Sequence, residues 1–254
     1  MSRWIRPLVF LLPLLAGAAP AQDQKGRQLV VVEPVLTKAK VDVYKTSEIE
    51  IALQLTRIMP ATGWVLEATG GEDEGDRAVL RYFPHPPKEP GPAVDWPIGL
   101  RFPLGSPKPG DRVVEILEEG ENGATTLVHA LVLRVEGPGE ELEGGFVAKG
   151  PYAQLKPKVE GSGRSVLFSL DAVRKMPSPG WTFSVGDPKL EGNRIVVQVE
   201  EVPPAATQPR QATETPVEIF LGDNLPVGRY LVILRGGKEG EDVLQQALLV
   251  DVGP

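Results

Sequence analysis

The chain of 254 residues matches itself when displaced by 117 positions. Arg57, Met59, Pro60, Gly63 and Trp64 fall on Arg174, Met176, Pro177, Gly180 and Trp181, and Gly75 and Arg77 fall on Gly192 and Arg194. The match runs on without a gap through Pro86-Pro87/Pro203-Pro204, Leu104-Gly105/Leu221-Gly222, Pro109/Pro226, Arg112/Arg229, Ile116-Leu117/Ile233-Leu234 and Ala130-Leu131/Ala247-Leu248. A duplication of this length makes each copy a structural unit with its own core. It also stands in for an alignment: a residue kept in both copies serves the shared fold, and a residue in one copy is a specialisation. The lack of gaps predicts shared loop lengths as well as shared strands.

Within each copy the apolar period is two. Ile49, Ile51, Leu53 and Leu55 alternate with Glu50, Ala52 and Gln54, and Val166, Phe168 and Leu170 keep the matching face in the second copy. Seven such runs occur per copy, near 29–36, 48–56, 64–69, 77–83, 97–103, 112–118 and 126–135 in the first. Short turns separate them, no segment shows a helical period, and 28 Gly and 26 Pro spread along the chain oppose long helices. The expectation is an all-β protein of two tandem immunoglobulin-like β-sandwich domains, at 28–137 and 145–254, joined by a linker at 138–144.

The N-terminus reads as an export signal. Arg3 and Arg6 precede the apolar run Leu8–Leu15, and Ala19-Pro20-Ala21 fits a small-x-small cleavage site, giving a signal peptide over 1–21 and a flexible polar stretch at 22–27. The apolar run is shorter than the ~20 residues a membrane-spanning helix needs, so no membrane insertion is expected after cleavage. With no cysteine an exported chain has no disulfide and must be held by burial alone. A formal charge of −7 weighs against nucleic acid as a partner.

The element Met-Pro-x-x-Gly-Trp recurs in both copies. Pro60 and Pro177 end a strand, Gly63 and Gly180 permit a turn, and Trp64 and Trp181 are expected to plug the cores. His85 and His129 are the only histidines, and neither recurs. No nucleophile elbow, Walker loop or dinucleotide fingerprint is present, so no catalytic, cofactor-binding or metal residue is expected. The acidic turn Glu72-Asp73-Glu74-Gly75-Asp76 has no calcium-loop spacing and reads as a hairpin tip. Trp96 occurs in the first copy only, within a proline-rich segment at 84–97; with Tyr82, Phe83 and Thr62 it is the candidate partner contact.

Two resemblances bear on these residues. Leu225-Pro226-Val227-Gly228-Arg229-Tyr230-Leu231-Val232 resembles the Leu-Pro-x-Gly-x-Tyr-x-Val strand of bacterial extracellular immunoglobulin-like modules, which implies a corner tyrosine and a sandwich fold. Pro60, Thr62 and Gly63 resemble the Asn-Pro-x-Thr-Gly-Tyr loop of chagasin-type cysteine-protease inhibitors, although Thr62 becomes Pro179 in the second copy. The functional expectation is an exported, non-enzymatic binding or structural protein of the bacterial cell envelope or exterior. Its partner would be a protein or an envelope component. The alternatives are an inhibitor-like module presenting the turns at 59–64 and 176–181, and a carbohydrate- or cell-wall-binding protein using Trp96.

Overall fold

The computed structural model describes residues 26–45, 49–89, 91–138, 141–162, 165–206, 208–238 and 240–254; the expected signal peptide and most of 22–27 lie outside them. Strand forms wherever the sequence alternates. The first half holds β1 (Gln28–Val31), β2 (Leu36–Lys45), β3 (Ile49–Ala61), β4 (Val65–Asp73), β5 (Arg77–His85), β6 (Ala93–Gly105), β7 (Gly110–Glu119) and β8 (Thr125–Glu136). The second holds β9 (Gly144–Ala148), β10 (Tyr152–Ser162), β11 (Ser165–Met176), β12 (Thr182–Val185), β13 (Lys189–Glu191), β14 (Arg194–Val202), β15 (Thr213–Asp223), β16 (Gly228–Lys238) and β17 (Val243–Gly253). Among the described residues there is no helix; the fold is all-β.

Each half is built in two layers. Sheet β2-β3-β6 faces sheet β4-β5-β7-β8-β9. Between them meet Ile51, Leu53 and Leu55 of β3, Tyr82 of β5, Phe102 of β6 and Ile116 of β7, each at most 2% exposed. In the second half β10-β11-β15 faces β12-β14-β16-β17-β1, enclosing Phe168, Leu170, Ile195, Val197, Ile219 and Val232. At roughly 1.5–3 kcal/mol for each fully buried aliphatic or aromatic side chain, cores of this size hold a chain that has no disulfide. The two larger sheets then pack on each other. Val113, Leu127 and Val132 on the outer face of β7 and β8 meet Leu231, Ile233, Leu244 and Leu249 of β16 and β17. Four sheets therefore stack with three apolar layers between them.

The first strand of each half pairs outside that half. β1 adds to β17, with Leu29 opposite Val252, and β9 adds to β8, with Val147 opposite Leu133. Leu29 buries in the second core and Val147 packs on the first. Units at 28–137 and 145–254 are thus not self-contained. Residues 28–31 complete the far sheet, 144–148 complete the near one, and each covers a ladder edge that would otherwise be open.

Three more expectations require correction. An immunoglobulin sandwich has two antiparallel sheets, whereas β5 runs parallel to β7 and β14 parallel to β16. Nor do the halves share one offset. Val113 lies opposite Arg77 and Leu231 opposite Arg194, an offset of 118; Leu36 lies opposite Arg57 and Tyr152 opposite Arg174, an offset of 116. The turn leading into β16 is one residue longer than the one leading into β7, and the hairpin that follows is one shorter. Because a one-residue slip reverses the face of a strand, Ile116 belongs to the first core while Ile233 lies between the halves. The ladder shows the true equivalence. Asp111 accepts two bonds from Arg134, at 2.7 and 2.6 Å, and at the same ladder position Arg229 donates two to Asp251, at 2.7 and 2.8 Å, with the charges exchanged. Likewise Tyr230 is buried, and its hydroxyl donates to the Pro226 carbonyl at 2.9 Å. Its counterpart is Arg112, not Val113, and Arg112 also donates to a carbonyl four residues upstream, that of Lys108 at 2.5 Å.

The tryptophans do not plug the cores. Trp64 and Trp181 are half-buried and belong to neither core; Leu66 and Phe183, two residues further on, pack there instead. Each Trp stands just before its strand, and Trp181 borders a depression shared with residues 215–218 of β15. The indole N–H of Trp181 donates to Ser178 Oγ at 3.1 Å, within its own turn. The glycines of the same turns are more tightly constrained. Gly63 and Gly180 have φ of +88° and +85°, and a Cβ on them would come within 2.9 and 3.0 Å of the Cβ of Pro87 and Pro204. That contact explains why the Pro-Pro pair and the glycine recur together. Gly180→Ala is expected to cost about 1–3 kcal/mol in urea denaturation; an unchanged midpoint would refute the account of the turn.

Candidate functional site

One end of the first half collects most of the residues singled out by sequence. Ala61 pairs with Ala93 and Met59 with Trp96, and Gly91 sits so closely on Thr62 that a Cβ there would fall 2.3 Å from its hydroxyl. Trp96 and Thr62 therefore share this end, Trp96 being 46% exposed and Thr62 half-buried. Phe83 is half-buried, its ring 4.7 Å from that of His85, which in turn bonds Glu67 at 2.7 Å. Tyr82 is not a contact residue: it is fully buried, because alternation along β5 turns residue 82 inward and residue 83 outward. Sequence reasoning passed over three exposed apolar side chains, Ile58, Val65 and Val94; Ile58 pairs with Pro97 on the outer face of the sheet, while Trp96 pairs with Met59 on the other face. At an offset of 117 the second half carries Lys175, Thr182, Gln211 and Thr213 in place of Ile58, Val65, Val94 and Trp96. The apolar end belongs to one half alone.

The buried polar groups serve the packing of the sheets. Arg57 donates to the Tyr82 hydroxyl at 2.6 Å and to Glu118, and Tyr82 donates to Glu118 at 2.7 Å. In the second half Arg174 meets the Tyr152 hydroxyl at 3.2 Å, Gln245 at 3.0 Å and Glu201. Burial pushes both phenols above their ordinary pKa, so each stays a neutral donor. Between the halves, Glu115, 6% exposed, receives Arg77 in two bonds of 2.9 and 3.1 Å and also Arg194. Two arginines at equivalent places in the two halves thus converge on one carboxylate.

The acidic turn is committed as well: Glu72 bonds Arg81 at 2.8 Å, Glu74 bonds Arg77 at 3.0 Å, and Asp73 bonds Arg112. Among the described residues no three His, Asp or Glu side chains group as a metal site requires.

His129 lies opposite Ile116 on the core side of β8, and burial lowers its pKa to about 4. The folded chain therefore keeps it neutral where the unfolded chain, with a pKa of about 6.5, already takes up a proton. Stability from this residue is complete above pH ~6.5 and is lost as pH falls towards ~4. The shift sets an upper bound of about 3 kcal/mol; partial exposure brings the expected loss to about 1–2 kcal/mol. His129→Gln places there the residue found at the same ladder position in the second half, Gln246. Its melting temperature should change less between pH 7 and 4.5 than that of the natural chain; an equal change would show that His129 is not responsible.

Comparison with protein-family models, curated proteins and solved structures found no match. The functional reading therefore rests on the geometry of this chain.

Proposed function

We propose that the chain is an exported, non-enzymatic binding or structural protein of the bacterial cell envelope or exterior. Its two β-sandwich units, descended from one duplicated unit, are immunoglobulin-like in layering but not in connectivity. The apolar end of the first half carries the binding reading. Large side chains left open to water around one end of a sheet mark an interaction surface more often than a packing accident, and the second half carries polar residues there instead. The arginine, tyrosine and carboxylate clusters support the non-enzymatic reading, since they bond one another between strands and sheets.

Retention of the purified chain on an envelope fraction tests the proposal. The natural chain should be retained, and the double variant Ile58→Lys/Trp96→Thr, which installs the residues of the second half, should lose most of that retention while melting at the same temperature. Equal retention of both would sink the reading.

A further inference from the structure

On the outer face of the β2-β3-β6 sheet, β2 bulges between Thr37 and Lys40 and turns Lys38 into the left-handed region, at φ 52°. A shallow depression opens there, lined by Lys38, Lys40, Gln54, Thr56, Gly99 and Arg101. Lys40, Gln54 and Arg101 stand opposite one another, one on each strand, forming a row across the sheet at the ~4.8 Å strand spacing. The second half has the same bulge, the same left-handed residue (Gln154, φ 53°) and the same depression, lined at equivalent positions by Gln154, Lys156, Asp171, Val173, Pro216 and Glu218. Its row reads Lys156-Asp171-Glu218. Bulge and depression therefore belong to the fold, and only the chemistry of the lining differs.

That difference has a direction. The first depression gathers three cations against one carboxylate, Asp42, held at the rim by Lys40 at 3.1 Å, by the Tyr44 hydroxyl at 3.2 Å and by the Gln54 amide. Arg101 stacks on the Tyr44 ring, 4.6 Å from its centre. In the second half Lys158 takes the place of Asp42 and is consumed by Glu160 at 3.0 Å and Glu218 at 2.8 Å. One depression offers donors to an anion; in the other the lysine is already committed to carboxylates and Asp171 and Glu218 stand where the first has Gln54 and Arg101.

We propose that the depression of the first half binds an acidic group, carboxylate or sulfate, of an anionic polysaccharide, and that its twin in the second half does not. This rests on the extracellular binding reading above. The depression is half-open to solvent on the outer face of the sheet, so it can admit a charged group carried on a chain. Gly99 leaves the floor clear. Ile58, 49% exposed, lies on the same face four residues along β3 from Gln54, about 13 Å away, where it can meet the apolar face of a neighbouring sugar. Arginine and lysine supply the charge-assisted bonds that carboxylates and sulfates accept.

Calorimetric titration of the full chain with trigalacturonate, a sulfated trisaccharide and neutral maltotriose tests this. The expected result is one site per chain for the carboxylated or the sulfated sugar (which of them binds tells the source of the anion), weakened by salt, and none for maltotriose. The quadruple variant Lys38→Gln/Asp42→Lys/Gln54→Asp/Arg101→Glu copies a lining that folds in the second half, so it should keep its melting temperature and bind at least about tenfold more weakly. The reverse transplant, Gln154→Lys/Lys158→Asp/Asp171→Gln/Glu218→Arg, should raise the stoichiometry to two. No binding of either charged sugar, or binding unchanged in the quadruple variant, overturns the proposal. Binding of maltotriose that is lost in Ile58→Lys/Trp96→Thr also overturns it, while leaving the broader binding function standing.

Discussion

Leu231→Ala is expected to cost about 3 kcal/mol, within the 2–5 kcal/mol range for truncating a buried leucine, and to destabilise both halves together. Leu231 is fully buried, but not in the core of its own half: it lies in the apolar layer between the two larger sheets, with Val113, Leu127 and Val132 of the other half. In a chain of two independent sandwiches that face would be open to water, and the substitution would cost within about 0.5 kcal/mol. Urea unfolding followed by fluorescence and by circular dichroism should show one shared transition, displaced as a whole. Two separable transitions with only the later half of the chain affected would contradict the stacking.

Glu115→Ala is expected to cost about 2–3 kcal/mol. Removing one partner of a buried ion pair leaves uncompensated charge, typically at 3–5 kcal/mol. Here Arg77 and Arg194 are 30% and 25% exposed and regain some water, which brings the value just below that range. Glu115→Ile should cost much less. Val79 lies opposite Glu115, and at the equivalent place Val196 lies opposite Ile233, so an isoleucine of the right size already serves the same layer. Denaturation midpoints of the two variants decide the matter: if Ile is as damaging as Ala, the carboxylate does more than bridge the halves.

The strands were legible because their inner and outer residues differ. Ile51, Leu53 and Leu55 alternate with polar neighbours, and the structure has β3 there. The partners of the strands were not legible, since ladder bonds run through the backbone and carry no side-chain signature. Nothing in Gln28-Leu29-Val30-Val31 says that its ladder lies on the last strand of the chain. The altered offset was hidden for a related reason. β7 and β16 are buried on both faces, so Val113-Val114-Glu115-Ile116-Leu117 fits Tyr230-Leu231-Val232-Ile233-Leu234 at 117 or at 118, and identity favours the wrong one. Glu115 was the one readable clue, the one acid within the apolar run 113–117, and it marks the junction of the halves. At the candidate site, Trp96 was visible as an unrepeated aromatic. Ile58, Val65 and Val94 were not, because each sits in an ordinary strand pattern and only the missing opposing layer exposes it. The basic row of Lys40, Gln54 and Arg101 was equally hidden, its members lying in three strands far apart in sequence.

The interlocking of the halves through their exchanged first strands is tested most directly by cutting the chain between them. A protease site inserted in the segment 138–141, cleaved in the folded protein, separates β1–β8 from β9–β17 covalently while leaving β9 on β8 and β1 on β17. The two fragments should co-elute as one species of unchanged size in gel filtration and melt in one transition. Fragments that part without denaturant would show that each half is complete by itself, and would contradict the exchange.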